Sequence, residues 1–217
     1  MTEPARPLTV NQRERRQRIL DATRELVTKH GYQGTIMRDV AAKAEVSATT
    51  LYNLYNTKDE LLLEALKERI AEATELARKD ACEPGHRFLL AHVRRVAAST
   101  RATPAFVTAI AQGLFRAEPG DALVEVLLRE FRRNNRASLQ AMVDRGELQA
   151  NVNLDCLACD LVGAFWGSFL LWNKGLVSLA QLEATMMRKC LGVLIPCTQG
   201  PVHKELQDVY DTQEWAS

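Results

Sequence analysis

Residues Thr35–Leu62 read TIMRDVAAKAEVSATTLYNLYNTKDELL, and this stretch decides the fold. Two short helix-forming runs, 35–44 and 47–55, flank a turn of about three residues, which are the proportions of a helix-turn-helix. Met37, Val40 and Ala41 give the first run an inward stripe. Ser47 is placed to cap the second run, and Thr57 with Glu60 forms a capping box for a long helix beyond it. In such a motif the second helix enters the DNA major groove with its N-terminal residues foremost. Ser47, Thr49, Thr50 and Asn53 offer hydroxyl and amide groups to base edges or phosphates. Tyr52 is long enough to set its hydroxyl on a phosphate. Lys58, at a helix start, adds charge where free N–H groups already favour anions. Leu51, Leu54 and Tyr55 fall at i, i+3 and i+4 and are expected to anchor the helix from behind.

Working outward, Asn11 with Glu14 offers an N-cap for a first helix. Ile19, Ala22 and Leu26 form its stripe, and Gly31 is a natural stop. Its opening run carries Arg13, Arg15, Arg16 and Arg18. A charge run alone is usually a solvated face, but beside a helix-turn-helix it becomes a candidate for phosphate contact, with Arg13 and Arg16 foremost. Thr35 and Arg38, in the second helix, join this set. Residues 1–10 read as a flexible arm. The fourth helix carries Leu62, Leu66, Ile70, Ala73 and Leu76/Ala77 and ends before Pro84. Further helices are expected at about 85–101, 104–117, 121–145, 154–173 and 178–195, punctuated by Pro104, the 118–121 turn, Gly146 and 173–175.

Composition agrees with a soluble helical chain of 217 residues, 47% hydrophobic and 25% charged. The net charge of +1 hides an asymmetry: residues 1–58 hold 10 Lys/Arg against 6 Asp/Glu, or +4, and the remainder 18 against 21, or −3. A basic N-terminal part suits a local anionic partner. Five cysteines, an odd number, and a polar N-terminus imply free thiols and a reducing, cytoplasmic setting. The apolar run Leu157–Trp172 contains Asp160 and reads as a buried helix rather than a membrane span. Cys156 and Cys159 lack a second pair or a nearby histidine, so two buried thiols are expected rather than a metal site. The chain contains no glycine-rich phosphate loop, H-E-x-x-H or nucleophile elbow. Neither an enzyme nor a cofactor-binding protein is therefore the first reading, though a helical enzyme or a protein-interaction module remains the alternative.

From Arg13 to Leu66 the sequence resembles the TetR family of bacterial transcriptional regulators. The resemblance rests on Ile19, Ala22 and Leu26, Gly31-Tyr32, Arg38-Asp39-Val40-Ala41, Val46-Ser47, Leu51-Tyr52 and Lys58-Asp59-Glu60-Leu61. It departs from the family at Ile36, where a hydroxyl is usual, and at Tyr55 and Asn56, where Phe and Pro are usual. It also departs at Glu45, where a turn glycine is usual. If that turn needs φ > 0, a non-glycine residue costs on the order of 1 kcal/mol.

The resemblance implies an all-α fold of about nine helices: an arm (1–10), a three-helix DNA-binding domain (11–58), a helical ligand-binding and dimerisation domain (59–196) and a tail (197–217). It implies a homodimer that binds double-stranded operator DNA and answers to a small-molecule effector, with no membrane partner. Gly163 and Gly167 put small residues on one helical face, and Leu182, Met186 and Cys190 lie on a second apolar stripe. These are the candidate dimer interface. Candidate effector contacts are Phe88, His92, Phe106, Ile110, Leu114, Phe131, Asn135, Phe165, Trp166 and Phe169, apolar walls with a few polar groups. Aromatics at this spacing also build plain core.

Overall fold

A computed structural model describes residues 9–114 and 122–212. Among them are ten α-helices, one 3₁₀ turn and no strand beyond an isolated antiparallel bridge between Leu148 and Thr198. The 118–121 turn lies outside the described residues.

Helix α1 spans Val10–Gly34. It starts earlier than Asn11 and Glu14 suggest, because Thr9 and Gln12 complete both halves of a capping box: Thr9 Oγ1 accepts from Gln12 N–H, and Gln12 Oε1 accepts from Thr9 N–H. Gly31, at φ 68°, kinks the helix instead of ending it. Ile19, Leu20, Ala22, Thr23 and Val27 form the buried stripe. Helix α2 (Met37–Lys43) packs on α1, and α3 (Ala48–Leu54) packs on α2. Helix α4 (Lys58–Ala81) is laced to α1 by Arg16–Glu64 and Arg24–Glu68 ion pairs.

The chain divides into two compact units. One holds the chain through Glu68 together with Pro104–Ile110, and the other holds Arg69–Thr103 and the chain from Ala111 on. The division therefore falls inside α4, ten residues beyond the boundary expected at 58, because one unbroken helix serves both units.

The second unit contains α5 (His86–Ala102), α7 (Ala122–Asp144), α8 (Leu154–Asn173) and α9 (Leu182–Leu194), with α8 packed on α7 and α9, and α5 on α7 and α9. Helix α6 (Pro104–Leu114) belongs to both units. The 197–217 tail, whose sequence allows one short helix or none, holds a 13-residue helix, α10 (Gly200–Thr212), whose Val202 and Leu206 are buried. Its amphipathic spacing anchors it, and Arg87 and His86 both reach Glu205. The 20-residue α8 is long and apolar enough to cross a membrane by length and composition alone, but its inner residues Leu157, Ala158, Leu161, Phe165 and Phe169 are buried.

Candidate nucleic-acid interface

The turn between α2 and α3 is a Schellman motif. Val46 N–H donates to Ala41 C=O at 3.0 Å and Glu45 N–H to Ala42 C=O at 3.2 Å. This pattern places one residue in the left-handed region, and Glu45 takes that place at φ 55°. Ser47 follows at once as N-cap, its hydroxyl accepting from Thr50 N–H at 3.0 Å. Helix α3 is thus started and separated from α2 by local chemistry, a backbone turn and one side-chain cap.

Its faces divide cleanly. Leu51 is fully buried and Tyr55 nearly so, while Ala48, Thr49, Tyr52 and Asn53 are exposed, Tyr52 by 46%. Leu54, expected inward, is also 46% exposed. It sits at the last turn of a seven-residue helix and lines an open groove with Gln12, Arg15 and Arg16 of α1. Two of the expected DNA-facing hydroxyls are occupied: Ser47 Oγ and Thr50 Oγ1 lie 2.8 Å apart, closing the cap on each other. Thr35 departs further. It is 4% exposed and its hydroxyl donates to Gly31 C=O, so it closes the α1 kink rather than facing solvent. Helix α2 instead begins after Ile36, which caps it with no side-chain bond.

The basic residues also sort by partner. Arg13 and Arg38 are exposed. Arg16 turns back to Glu64 at 2.6 Å and to the Tyr55 hydroxyl; burial opposes its charge, but those two partners outweigh it and raise its pKa. Arg18 Nε donates to Ala44 C=O at 3.3 Å, tying α1 to the end of α2. Lys58 Nζ donates to Tyr32 C=O at 2.9 Å and Thr35 C=O at 3.3 Å, and lies 4.1 Å from the centre of the Tyr32 ring. It is a strut that pins the start of α4 to the α1–α2 junction, not a free cation. Tyr32, whose hydroxyl donates to Asp59, completes this strut, and sequence reasoning gave it no role. Thr57 accepts from Glu60 N–H as expected, yet the Glu60 carboxylate accepts from Asn56 N–H rather than from Thr57.

The arrangement is that of a helix-turn-helix: a short helix capped at Ser47, exposing Thr49, Tyr52 and Asn53, with Arg13 and Arg38 also exposed. Residues 19–65 match the family model for bacterial regulatory proteins of the tetR family. The helix-turn-helix segment is of the tetR-family type.

Among similar proteins, the HTH-type transcriptional repressor KstR of Mycolicibacterium smegmatis is 48% identical over 69 residues, 30% of this chain and 34% of that protein. KstR of Mycobacterium tuberculosis is 51% identical over 55 residues, 25% of each chain. The chain thus spans about a third or less of the curated relatives it matches. The TetR fold extends further: SmeT, the repressor of the Stenotrophomonas maltophilia multidrug efflux pump SmeDEF, superposes with TM-score 0.68 over 86% of this chain and 92% of its own at 16% identity. Thermus thermophilus FadR, a TetR-family repressor solved in complex with lauroyl-CoA, gives TM-score 0.68 over 86% and 97% at 20% identity.

In the C-terminal unit, most of the expected effector contacts form a closed aromatic stack. Phe88, His92, Phe131, Phe165 and Phe169 follow one another at ring separations of 5.5, 5.3, 4.4 and 5.2 Å, with Trp166 edge-on to Phe131 and Phe165. His92 meets Thr74 Oγ1 at 3.3 Å, and burial, helped by the Arg78 charge, pushes its pKa down to about 4. Asn135 is buried on α7. Phe106 and Ile110 are buried in the part of α6 that belongs to the N-terminal unit, and the side chain of Leu114 lies outside the described residues.

The expected dimer residues divide in the same way. Leu182 and Met186 are fully buried and Cys190 nearly so within their own subunit, because their stripe faces α5 and α8. Gly163 is exposed and Gly167 half-buried, on the outer face of α8. Cys156 and Cys159, expected to be buried, are both exposed on the first turns of α8. Among the described residues no cluster of three or more metal-ligating side chains occurs.

Proposed function

We propose that the chain is a dimeric transcriptional repressor that binds palindromic operator DNA through α3 and is released by a small hydrophobic or aromatic effector held in the C-terminal unit. The observation that carries this reading is the exposure of Thr49, Tyr52 and Asn53 on a helix whose N-cap and turn are fixed by Ser47 and Glu45. Thr49 and Asn53 read base edges, while Tyr52, Arg13 and Arg38 hold phosphates. The outer faces of α8 and α9, with Gly163, Gly167 and Leu170, pair with the same faces of a second copy. That pairing sets two α3 helices ~34–36 Å, or a multiple, apart on DNA. The repressors SmeT and FadR, which share the fold, support the regulatory reading, and the lauroyl-CoA bound to FadR supports an organic small-molecule effector.

Mobility-shift titration against DNA from the gene's own upstream region tests it. Tyr52→Ala and Arg38→Ala should weaken binding to all bound sequences alike and lower the salt slope by about one for Arg38. Asn53→Ala should cost roughly 1–3 kcal/mol at one operator position and relax specificity there. Wild-type protein without salt-dependent affinity for that DNA would sink the reading.

A further inference from the structure

The C-terminal unit contains a cavity of about 270 Å³ between the end of α4, the turn that follows it, α5 and α7. Its walls include Arg78, Glu83, Phe88, Asn134 and Ser138. Three features of these walls point to one class of occupant.

The first is Ser138. It is 2% exposed and borders the cavity, yet its hydroxyl has no hydrogen-bond partner among the described residues. Other buried helical hydroxyls behave differently. Thr23, Thr100 and Ser168 each donate to the carbonyl four residues earlier, at 2.7–2.8 Å. A buried hydroxyl that forgoes this local bond is short of a partner. Asn135, one turn earlier on the same side of α7, is buried as well.

The second is Arg78. Among the described residues its guanidinium pairs with Glu75 alone, at 3.7 Å, with both side chains more than half exposed. That leaves its planar fork of donors available to an incoming anion. Glu83, the one carboxylate on the wall, faces a competing cation, since it acts on the charge of Arg145.

The third is Phe88. It is buried, its ring stacks on His92 at 5.5 Å, and it also lines the cavity as an apolar wall. At about 270 Å³ the space lies just under the range of drug-sized sites, which suits a single ring and excludes a long chain or fused rings.

We propose that this cavity binds a single-ring carboxylate, with the acid group on Arg78 and Ser138, the Asn134 amide beside it, and the ring against Phe88. The site rests on the reading of the C-terminal unit as the effector-binding part. It supplies that part with a residue-level address: the site lies at the last turns of α4, the same unbroken helix whose first turn is held by Lys58.

The test is calorimetric titration of the full chain with benzoate, benzamide and benzylamine. Benzoate should bind, and both neutral benzamide and cationic benzylamine should bind at least about tenfold more weakly. Arg78→Met should weaken benzoate about tenfold or more, and Ser138→Ala by less. Glu83→Gln should leave benzoate binding unchanged or tighten it. Because the Ser138 hydroxyl is unpartnered, Ser138→Ala should not lower the melting temperature of the free protein, which separates a ligand contact from a structural one. Equal binding of benzamide, tighter binding of benzylamine, or indifference to Arg78→Met would each overturn the proposal. Operator affinity measured on the same samples separates this site from the regulator reading. Benzoate binding that leaves operator affinity unmoved defeats the effector role and keeps the site, whereas operator binding without benzoate binding defeats the site and keeps the regulator.

Discussion

The two units of the molecule are specified in different ways. In the N-terminal unit, position along the chain is nearly the whole design: a cap at Ser47, a left-handed residue at Glu45, a cap at Thr57, and apolar residues at helical spacing between them. In the C-terminal unit the deciding contacts join residues far apart in sequence, as when Phe88 of α5, Phe131 of α7 and Phe165 of α8 share one stack through His92. Local backbone chemistry can be read from one segment, but a stack assembled from three helices cannot. The same contrast separates their tolerance. The reader unit depends on hydrogen bonds and backbone angles, and the body depends on volume.

The largest effect that would break this contrast lies in the body. Phe131 is 97% buried and touches three other rings. Phe131→Ala should cost about 3–5 kcal/mol through lost burial and a residual cavity. Chemical denaturation checks this. A loss below about 1 kcal/mol would show a loosely packed body in which the aromatics already line open space.

His92 gives the body a pH dependence of comparable size. Its pKa falls from 6.5 unfolded to about 4 folded, because burial and then Arg78 disfavour the charged ring. Below pH 6.5 the unfolded chain takes up a proton that the folded chain refuses until about pH 4. Stability is therefore lost as pH falls through that window, by on the order of 3 kcal/mol. His92→Gln should remove this component, so its unfolding free energy should fall less steeply between pH 6.5 and 4 than that of the wild type. Parallel slopes would show that the ring is solvated in the native state.

How much was legible follows the same line. The all-α class, the helix-turn-helix and the inward turn of Leu51 and Tyr55 could be read from spacing, because each depends on neighbours within about five residues; the left-handed turn at Glu45 was raised by the family resemblance alone, through the glycine usual there. Thr35, Arg16 and Lys58 could not. Each looked like a DNA contact from its residue type, and each is taken up by a carbonyl or carboxylate supplied from another element. Leu182 and Met186 failed for a related reason, since an apolar stripe shows that a face is covered but not whether its own subunit covers it. Helix α10 was legible only as one of two alternatives, a short helix or none, because its two buried residues, Val202 and Leu206, make a short stripe.

Lys58 sharpens the comparison within the reader unit. As a strut it makes two hydrogen bonds to carbonyls and covers the Tyr32 ring, so Lys58→Met should cost roughly 1–2 kcal/mol of stability. The salt slope of DNA binding should stay at its wild-type value. A slope lower by about one, with stability unchanged, would return Lys58 to the phosphate-contacting set with Arg38.

The smallest effect tests whether backbone angle governs the reader unit. Glu45 sits at φ 55°, which costs an ordinary residue about 1–2 kcal/mol relative to its relaxed conformation. Glycine removes that strain but brings about 0.5–1 kcal/mol of extra chain entropy to the unfolded state. The balance predicts that Glu45→Gly stabilises the protein by about 0.5–1 kcal/mol. Charge is a competing cause, because Glu45 is exposed two residues before the α3 N-cap. Glu45→Ala removes the charge but keeps the Cβ, and Glu45→Asn removes it in a residue that tolerates the left-handed region. If angle governs, stability should rank glycine first, then asparagine, with alanine no better than wild type. If alanine gains as much as glycine, the carboxylate rather than the turn is the source, and the claim that backbone geometry sets the turn into α3 fails at the residue that states it most directly.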